Sequence, residues 1–415
     1  MNIYLVAVLA ILLASYLLDL VADLMNLRHI STGLPDEFKD VYDPLKYTKS
    51  QDYLRKNTKH SLVTDGLMTA ITIGFILIGG FNIVDRFARS FNLGQIPTGL
   101  IFAGGLICLS QLCHIPFDAY HTFVIEEKFG FNRTSPRTFI MDIVKKWLLG
   151  ALLGGILFSA VIGIFRGAGS LAWLYCWGVA ALFQLCIIFV APAVIMPIFN
   201  KFTPLEDGEL KTAIESYAKS QGFKMKGIFR MDASRRSSKS NAFFTGFGKL
   251  RRIVLFDTLI QKHTLDELVS VLAHEMGHYK KKHVLISALI MVMTTGLMFL
   301  ILSLFINNRG LFEAFRMSDV SIYASIFFFG FLFIPIQMIL SLFSNLLSRR
   351  HEYEADAYAA STFGKSGAMI SALKKLSVDS LSNLTPHPFK VFLDYSHPPV
   401  LQRVLALKKM SCGIK

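Results

Sequence analysis

Seven apolar stretches, each long enough to cross a lipid bilayer, limit what this chain can fold into. They lie near 3–24, 62–84, 97–116, 147–165, 171–194, 284–306 and 319–345. A backbone inside hydrocarbon must satisfy its own hydrogen bonds, and a run of about 20 apolar residues does so as a helix. The expected fold is mainly α, a polytopic membrane protein with about seven transmembrane helices. Because 53% of the 415 residues are hydrophobic, disorder is excluded and an ordinary soluble domain is not expected. The first stretch has no basic residue before it and carries Asp19 and Asp23 in place of a small-residue cleavage site, so it reads as a retained anchor.

The basic residues orient these spans. Of 43 Lys and Arg, residues 25–61 hold seven, 117–146 five, 195–283 sixteen and the tail from 346 ten. The alternate connections hold two, one and two, and the spans hold none. Positive charge stays on the cytoplasmic side, which puts the N-terminus outside and the long 195–283 connection and C-terminus in the cytosol. The net charge of +14 therefore reflects topology and an affinity for anionic membrane lipids. Nucleic-acid binding is not expected, since the basic residues flank spans instead of interleaving with aromatics. The five cysteines form no CxxC pair and suggest neither disulfides nor a cysteine metal site.

Four parts follow: an N-terminal membrane region with five spans (1–194), a cytosolic α+β insertion (195–283), the sixth and seventh spans (284–345), and a C-terminal cytosolic helical part (346–415). In the insertion, helical spacing covers 207–219 and short strands are expected at 227–231, 241–247 and 252–257. Residues 234–240 (SRRSSKS) read as a flexible, solvated basic connection. Residues 117–133, with Pro116, His121, Glu126, Glu127 and Asn132, read as a cytosolic loop that could edge a cavity. Thr264 and Glu267 form a capping box that opens an amphipathic helix, which is expected to run through Lys280, Lys281 and Lys282 directly into the sixth span.

That helix carries His274-Glu275-Met276-Gly277-His278, an HExxH pattern. Residues four apart share a helix face, so both imidazoles can reach one Zn²⁺, and Glu275 falls beside it as a base. The seventh span appears as a helix prolonged past the membrane through 348–356 (SRRHEYEAD), where Glu352 and Asp356 sit one turn apart. That spacing can present one carboxylate to a metal and a second to a ligand imidazole. Two His and one Glu, with water in the fourth position, is a hydrolytic zinc arrangement.

These pieces resemble the type I CAAX prenyl proteases, membrane-embedded zinc endopeptidases. The matching segments are 122–132 (TFVIEEKFGFN), 199–204 (FNKFTP), 237–243 (SSKSNAF), 252–259 (RIVLFDTL), HEMGH, 348–356 and 395–399 (YSHPP). The resemblance implies a single Zn²⁺ per chain, held by His274, His278 and Glu352, with Glu275 as base. Asp356 and Arg349 would support the ligands, and His397 would stabilise the developing oxyanion. Asn241, Ala242 and Phe243 would align substrate as an added strand. It further implies seven helices enclosing an intramembrane chamber, capped by a small cytosolic α+β gluzincin-like zinc peptidase domain. The substrate would be a peptide or protein with a prenylated CAAX terminus. The chain ends without an endoplasmic-reticulum retrieval signal and has short outer loops, which favours a bacterial inner membrane over the endoplasmic reticulum. Two rivals are a membrane quality-control metalloprotease without prenyl specificity and a transporter or channel. The second is opposed by spans free of Lys and Arg and by the lack of internal duplication.

Overall fold

The computed structural model describes residues 2–31, 33–245 and 251–411. Helices α1 (Ile3–Arg28), α2 (Pro44–Leu77), α3 (Gly80–Arg89), α4 (Gln95–Tyr120), α5 (Glu127–Phe129), α6 (Pro136–Gly167), α7 (Ala172–Val190) and α8 (Met196–Phe199) form the first half. Among the described residues, seven helices are long and apolar enough to cross a membrane, as the sequence predicts. The spans are longer than their apolar runs. Polar residues 44–61 extend the second span as helix, and what reads as loop after Pro116 continues as α4, a π-helical turn at His121–Glu126, and α5. Hydropathy reports only the lipid-facing part of such a helix. Conversely, the second span stops at Leu77, because Gly79 takes a left-handed conformation (φ 75°) and starts the separate helix α3.

The second half begins with β1 (Phe202–Pro204), α9 (Glu209–Ser220), β2 (Gly227–Met231), β3 (Ala242–Thr245) and β4 (Arg252–Phe256). It continues with helices α10 (Asp257–Lys262), α11 (Leu265–Lys280), α12 (His283–Phe305), α13 (Arg309–Ala314), α14 (Ile322–Phe363), α15 (Ser366–Ser380), α16 (Pro388–Asp394) and α17 (Val400–Ser411). The large helices pack as a closed ring in chain order, α1–α2–α4–α6–α7–α12–α14 and back to α1. Only 6% to 17% of each apolar window is buried, so most of each span faces lipid or the interior of the ring rather than a packed core, and α14 also touches α4 and α6 across it. The end away from the sheet is plugged. Phe81, Phe102, Phe312, Phe315 and Phe328 form one buried cluster, with Phe315 and Phe328 stacked at 4.0 Å. Beside it the buried Asp85 accepts hydrogen bonds from Tyr323 (2.5 Å) and Arg89 (2.7 Å).

At the other end, four strands in the order β1-β2-β4-β3 carry the three predicted strands plus β1, which is too short for its pattern to show in sequence. β2 and β4 are parallel, and β3 is an antiparallel edge strand, with Ala242 opposite Leu255 and Phe243 opposite Val254. The predicted strand end at 246–247 lies outside the described residues. Helix α11 packs on this sheet through Leu268, Val269, Leu272 and Met276, and also against Ala359 of α14 and Ala372 of α15. Every residue from Glu267 to His274 is buried. The expected amphipathic helix is thus covered on all sides, since α14 and α15 bury the face that sequence pattern would leave to solvent.

Two further expectations change. The helix carrying HExxH does not run straight into the sixth span: Lys282 is left-handed (φ 62°) and breaks it between α11 and α12. Three lysines are good helix formers, so no local signal marks this stop. Residues 234–240 are not a free connection either. Arg236 makes a two-pronged contact with Asp142 (2.8 and 2.9 Å) and reaches Asn200 (3.0 Å), while Lys239 pairs with Glu126 (3.1 Å). Asn132 and Ser237 form a β-bridge. Segments 122–132, 199–204 and 237–243 therefore meet in one cluster that ties the sheet to the membrane helices.

The capping box is present as predicted, with Thr264 bonded to the Glu267 amide and Glu267 to the Thr264 amide. Replacing Thr264 by Ala should lower unfolding stability by about 1 kcal/mol. Thermal unfolding in detergent, with metal content measured in parallel, checks this; the metal content should not change.

Candidate metal centre

Helix α11 supplies His274 and His278 one turn apart, and α14 supplies Glu352 from the opposite side. His274 Nε2 and His278 Nε2 lie 3.1 Å apart, His274 Nε2 is 3.5 Å from Glu352 Oε2, and His278 Nε2 is 3.2 Å from Glu352 Oε1. The three donors form a compact cluster of the kind that can hold a metal ion. A tetrahedral zinc with ligand bonds of 2.0–2.1 Å places its donors about 3.3 Å from one another, so the spacing fits. Glu352 Oε2 is buried, with no directed hydrogen bond but with Arg403 Nη1 3.0 Å away. The chemistry of the set, two imidazoles and a carboxylate, also suits zinc.

The approach of the two helices depends on Gly277. A Cβ there would sit 2.9 Å from the Ala355 Cα and 3.1 Å from its carbonyl oxygen. Only glycine lets α11 come this close to α14, and a wider gap would draw Glu352 away from the histidines.

Asp356, one turn beyond Glu352, accepts from His274 Nδ1 at 2.8 Å. That bond leaves Nε2 of His274 as the lone pair facing the cluster. Both carboxylates are buried and share one cation that the sequence reading did not single out, Arg403 of α17. It binds Asp356 through Nε (2.8 Å) and Nη2 (2.7 Å), and its Nη1 lies 3.0 Å from Glu352. Two buried carboxylates with no counter-charge would be costly, so Arg403 belongs to the site's electrostatic balance. Its only sequence signal is position: six residues after His397, near the HPP segment.

Arg349 sits elsewhere. Its guanidinium donates to the carbonyls of Val391 (3.0 Å) and Tyr395, clamping the backbone that leads into His397. It thus holds the His397 loop, whereas Arg403 holds the carboxylates. His397 Nε2 reaches to 3.4 Å from Glu352 Oε1, with Ser396 Oγ at 3.0 Å from its Nδ1, and the ring stays largely open to solvent.

Glu275 lies beside the cluster. Burial pushes its carboxyl above the usual range, while the charges of His274 and His278 pull it back. A carboxyl so poised can take a proton and return it. Asn241, Ala242 and Phe243 lead into and along β3, the terminal strand of the sheet, and among the described residues no strand pairs with its outer side. Asn241 turns its Oδ1 onto the Ala242 amide (2.8 Å) and its own carbonyl accepts from Phe256 (3.1 Å).

Residues 23–201 match the protein family described as CAAX prenyl protease N-terminal, five membrane helices, and residues 204–411 match peptidase family M48. The chain is 36% identical to the CAAX prenyl protease 1 homolog of Oryza sativa subsp. japonica, over 98% of this chain and 97% of that protein. It is 34% identical to CAAX prenyl protease 1 of Saccharomyces cerevisiae, over 92% and 89%. The crystal structure of S. mikatae Ste24p matches with a TM-score of 0.93 at 31% identity, over 98% of this chain and 99% of that one.

Replacing Gly277 by Ala should cost about 1–3 kcal/mol, as overpacking does. It should also loosen metal binding, because relief of the clash moves Ala355 and Glu352 together. Unfolding with and without chelator, alongside metal analysis, reads both effects.

Proposed function

This chain belongs to peptidase family M48 and is a multi-pass membrane metallopeptidase, and we propose that it is a zinc endopeptidase that cuts the C-terminal peptide from prenylated CAAX proteins. The observation that carries the reading is the meeting of His274, His278 and Glu352 beside Glu275 at one end of a ring of apolar helices. The substrate class comes from the relatives, and a ring of apolar helices suits a lipidated peptide.

Zinc, held by His274, His278 and Glu352, would supply Lewis acidity that acidifies water and polarises the scissile carbonyl. Glu275 accepts the proton as water attacks and then delivers it to the leaving amine. His397, held by Ser396 and by the Arg349 clamp on the preceding backbone, points its Nε2 to the same side and donates to the developing oxyanion. The outer edge of β3, from Asn241 to Phe243, aligns the substrate backbone as an added strand. Asp356 fixes His274, and Arg403 neutralises the buried Glu352 and Asp356. The basic-residue asymmetry supports a cytosolic site and contact with anionic lipids. Compact outer connections favour a bacterial inner membrane, while the relatives named above are eukaryotic and favour the endoplasmic reticulum.

Glu275→Gln should retain a single zinc per chain and lose at least about 10²-fold in peptidase activity, the usual contribution of a positioned acid–base group. Retained activity would remove Glu275 from the mechanism. His397→Ala should lower kcat about 10²-fold or more, as loss of an oxyanion donor does, with zinc content unchanged. Turnover of a farnesylated peptide should exceed that of its unmodified twin. Equal turnover would favour a quality-control protease instead.

A further inference from the structure

His274 has a carboxylate behind it; His278 does not. Its Nδ1 instead lies 3.0 Å from Nδ1 of His283, the first residue of α12. His283 Nε2 is in turn 3.1 Å from Glu354 Oε2, and the other oxygen of Glu354 accepts from Arg350 Nε at 2.9 Å. The His283 ring is buried and stacked on His351, with centroids 3.9 Å apart and planes 8° from parallel. Proton placement along this chain is settled by its far end. A carboxylate can only accept, so the hydrogen of neutral His283 is on Nε2 and its Nδ1 is a lone pair. That lone pair takes the hydrogen of His278 Nδ1, which leaves a lone pair on Nε2 of His278 facing His274 and Glu352.

We propose that His283 is the positioning residue for His278, an imidazole acceptor that sets the ligand's tautomer and ring angle, with Glu354 and His351 holding His283 itself. The inference rests on the reading that His274, His278 and Glu352 hold zinc. It also accounts for the break before α12. In an unbroken helix, residues five apart point about 140° away from each other, and the two rings could not meet. The left-handed Lys282 turns His283 back onto His278. The two histidine ligands are therefore supported differently, one by an anion and one by a neutral ring.

The test is zinc affinity of the full-length protein, measured by chelator competition, which does not depend on turnover. His283→Leu keeps an apolar bulk but removes the acceptor, and should weaken zinc binding by about 10–100-fold, as loss of a partner behind a metal ligand does. His283→Asn places an amide oxygen near the Nδ1 position and should recover most of that loss. Glu354→Ala should weaken zinc in the wild-type background and add nothing to His283→Leu, because both remove the same support. Unchanged affinity in His283→Leu, no advantage of Asn over Leu, or additive losses in the double variant would each overturn the proposal, since a residue that only fills space gives those results. A wild-type chain without stoichiometric zinc, or one whose zinc is indifferent to His278→Ala, would bring down the metal assignment and this inference with it.

Discussion

The close crossing of α11 and α14 at Gly277 and Ala355 is the constraint on which the remainder of the site depends. One helix brings two imidazoles, the other a carboxylate, and neither has a metal-binding set alone. Their separation is governed by a single missing Cβ. The surroundings then make that crossing stiff: α11 is buried along nearly its whole length, between a sheet on one side and α14 and α15 on the other. A helix so confined cannot rotate to compensate for a displaced partner, which is what a pre-organised cluster requires.

Electrostatics adds a second layer. Glu352 and Asp356 are buried one turn apart, and Arg403 neutralises both from a helix near the C-terminus. The last part of the chain is in turn fastened to the first. Phe38, Tyr42 and Tyr47 from the start of the protein pack with Met369, Leu373, Val404 and Leu407, and Lys374 meets Asp40 at 2.8 Å. The ring of helices is thus closed near the sheet by contacts between the first and last parts of the chain. At the opposite end the aromatic plug and the Asp85–Tyr323–Arg89 group close it again. The candidate metal centre lies at the end that carries the sheet.

Much of this is readable from local pattern. Apolar length locates the spans because hydrocarbon forces helical hydrogen bonding on any backbone that crosses it. HExxH, ExxxD and the capping box are periodic features of one helix each, so spacing alone suggests them. The departures share one cause. Lys282, a good helix former, breaks the helix because α12 has to turn away from α11. Residues 234–240 look solvated until Asp142, Asn200 and Glu126 arrive from three distant segments. Arg403, not Arg349, meets the carboxylates, since nothing in the run SRRHEYEAD says that Arg349 faces backbone carbonyls while an Arg some fifty residues later faces its acids.

The amino-acid sequence by itself indicated the seven long apolar helices, three of the four strands of the small sheet and the residues with candidate metal chemistry. Each of those follows from the solvent a segment meets or from neighbours within a turn or two along the chain. The tertiary structure alone decided the distance between α11 and α14, which cation balances the buried carboxylates, and which ring stands behind His278. Those are contacts between segments far apart in sequence, set by packing and charge compensation in three dimensions, for which local periodicity carries no signal.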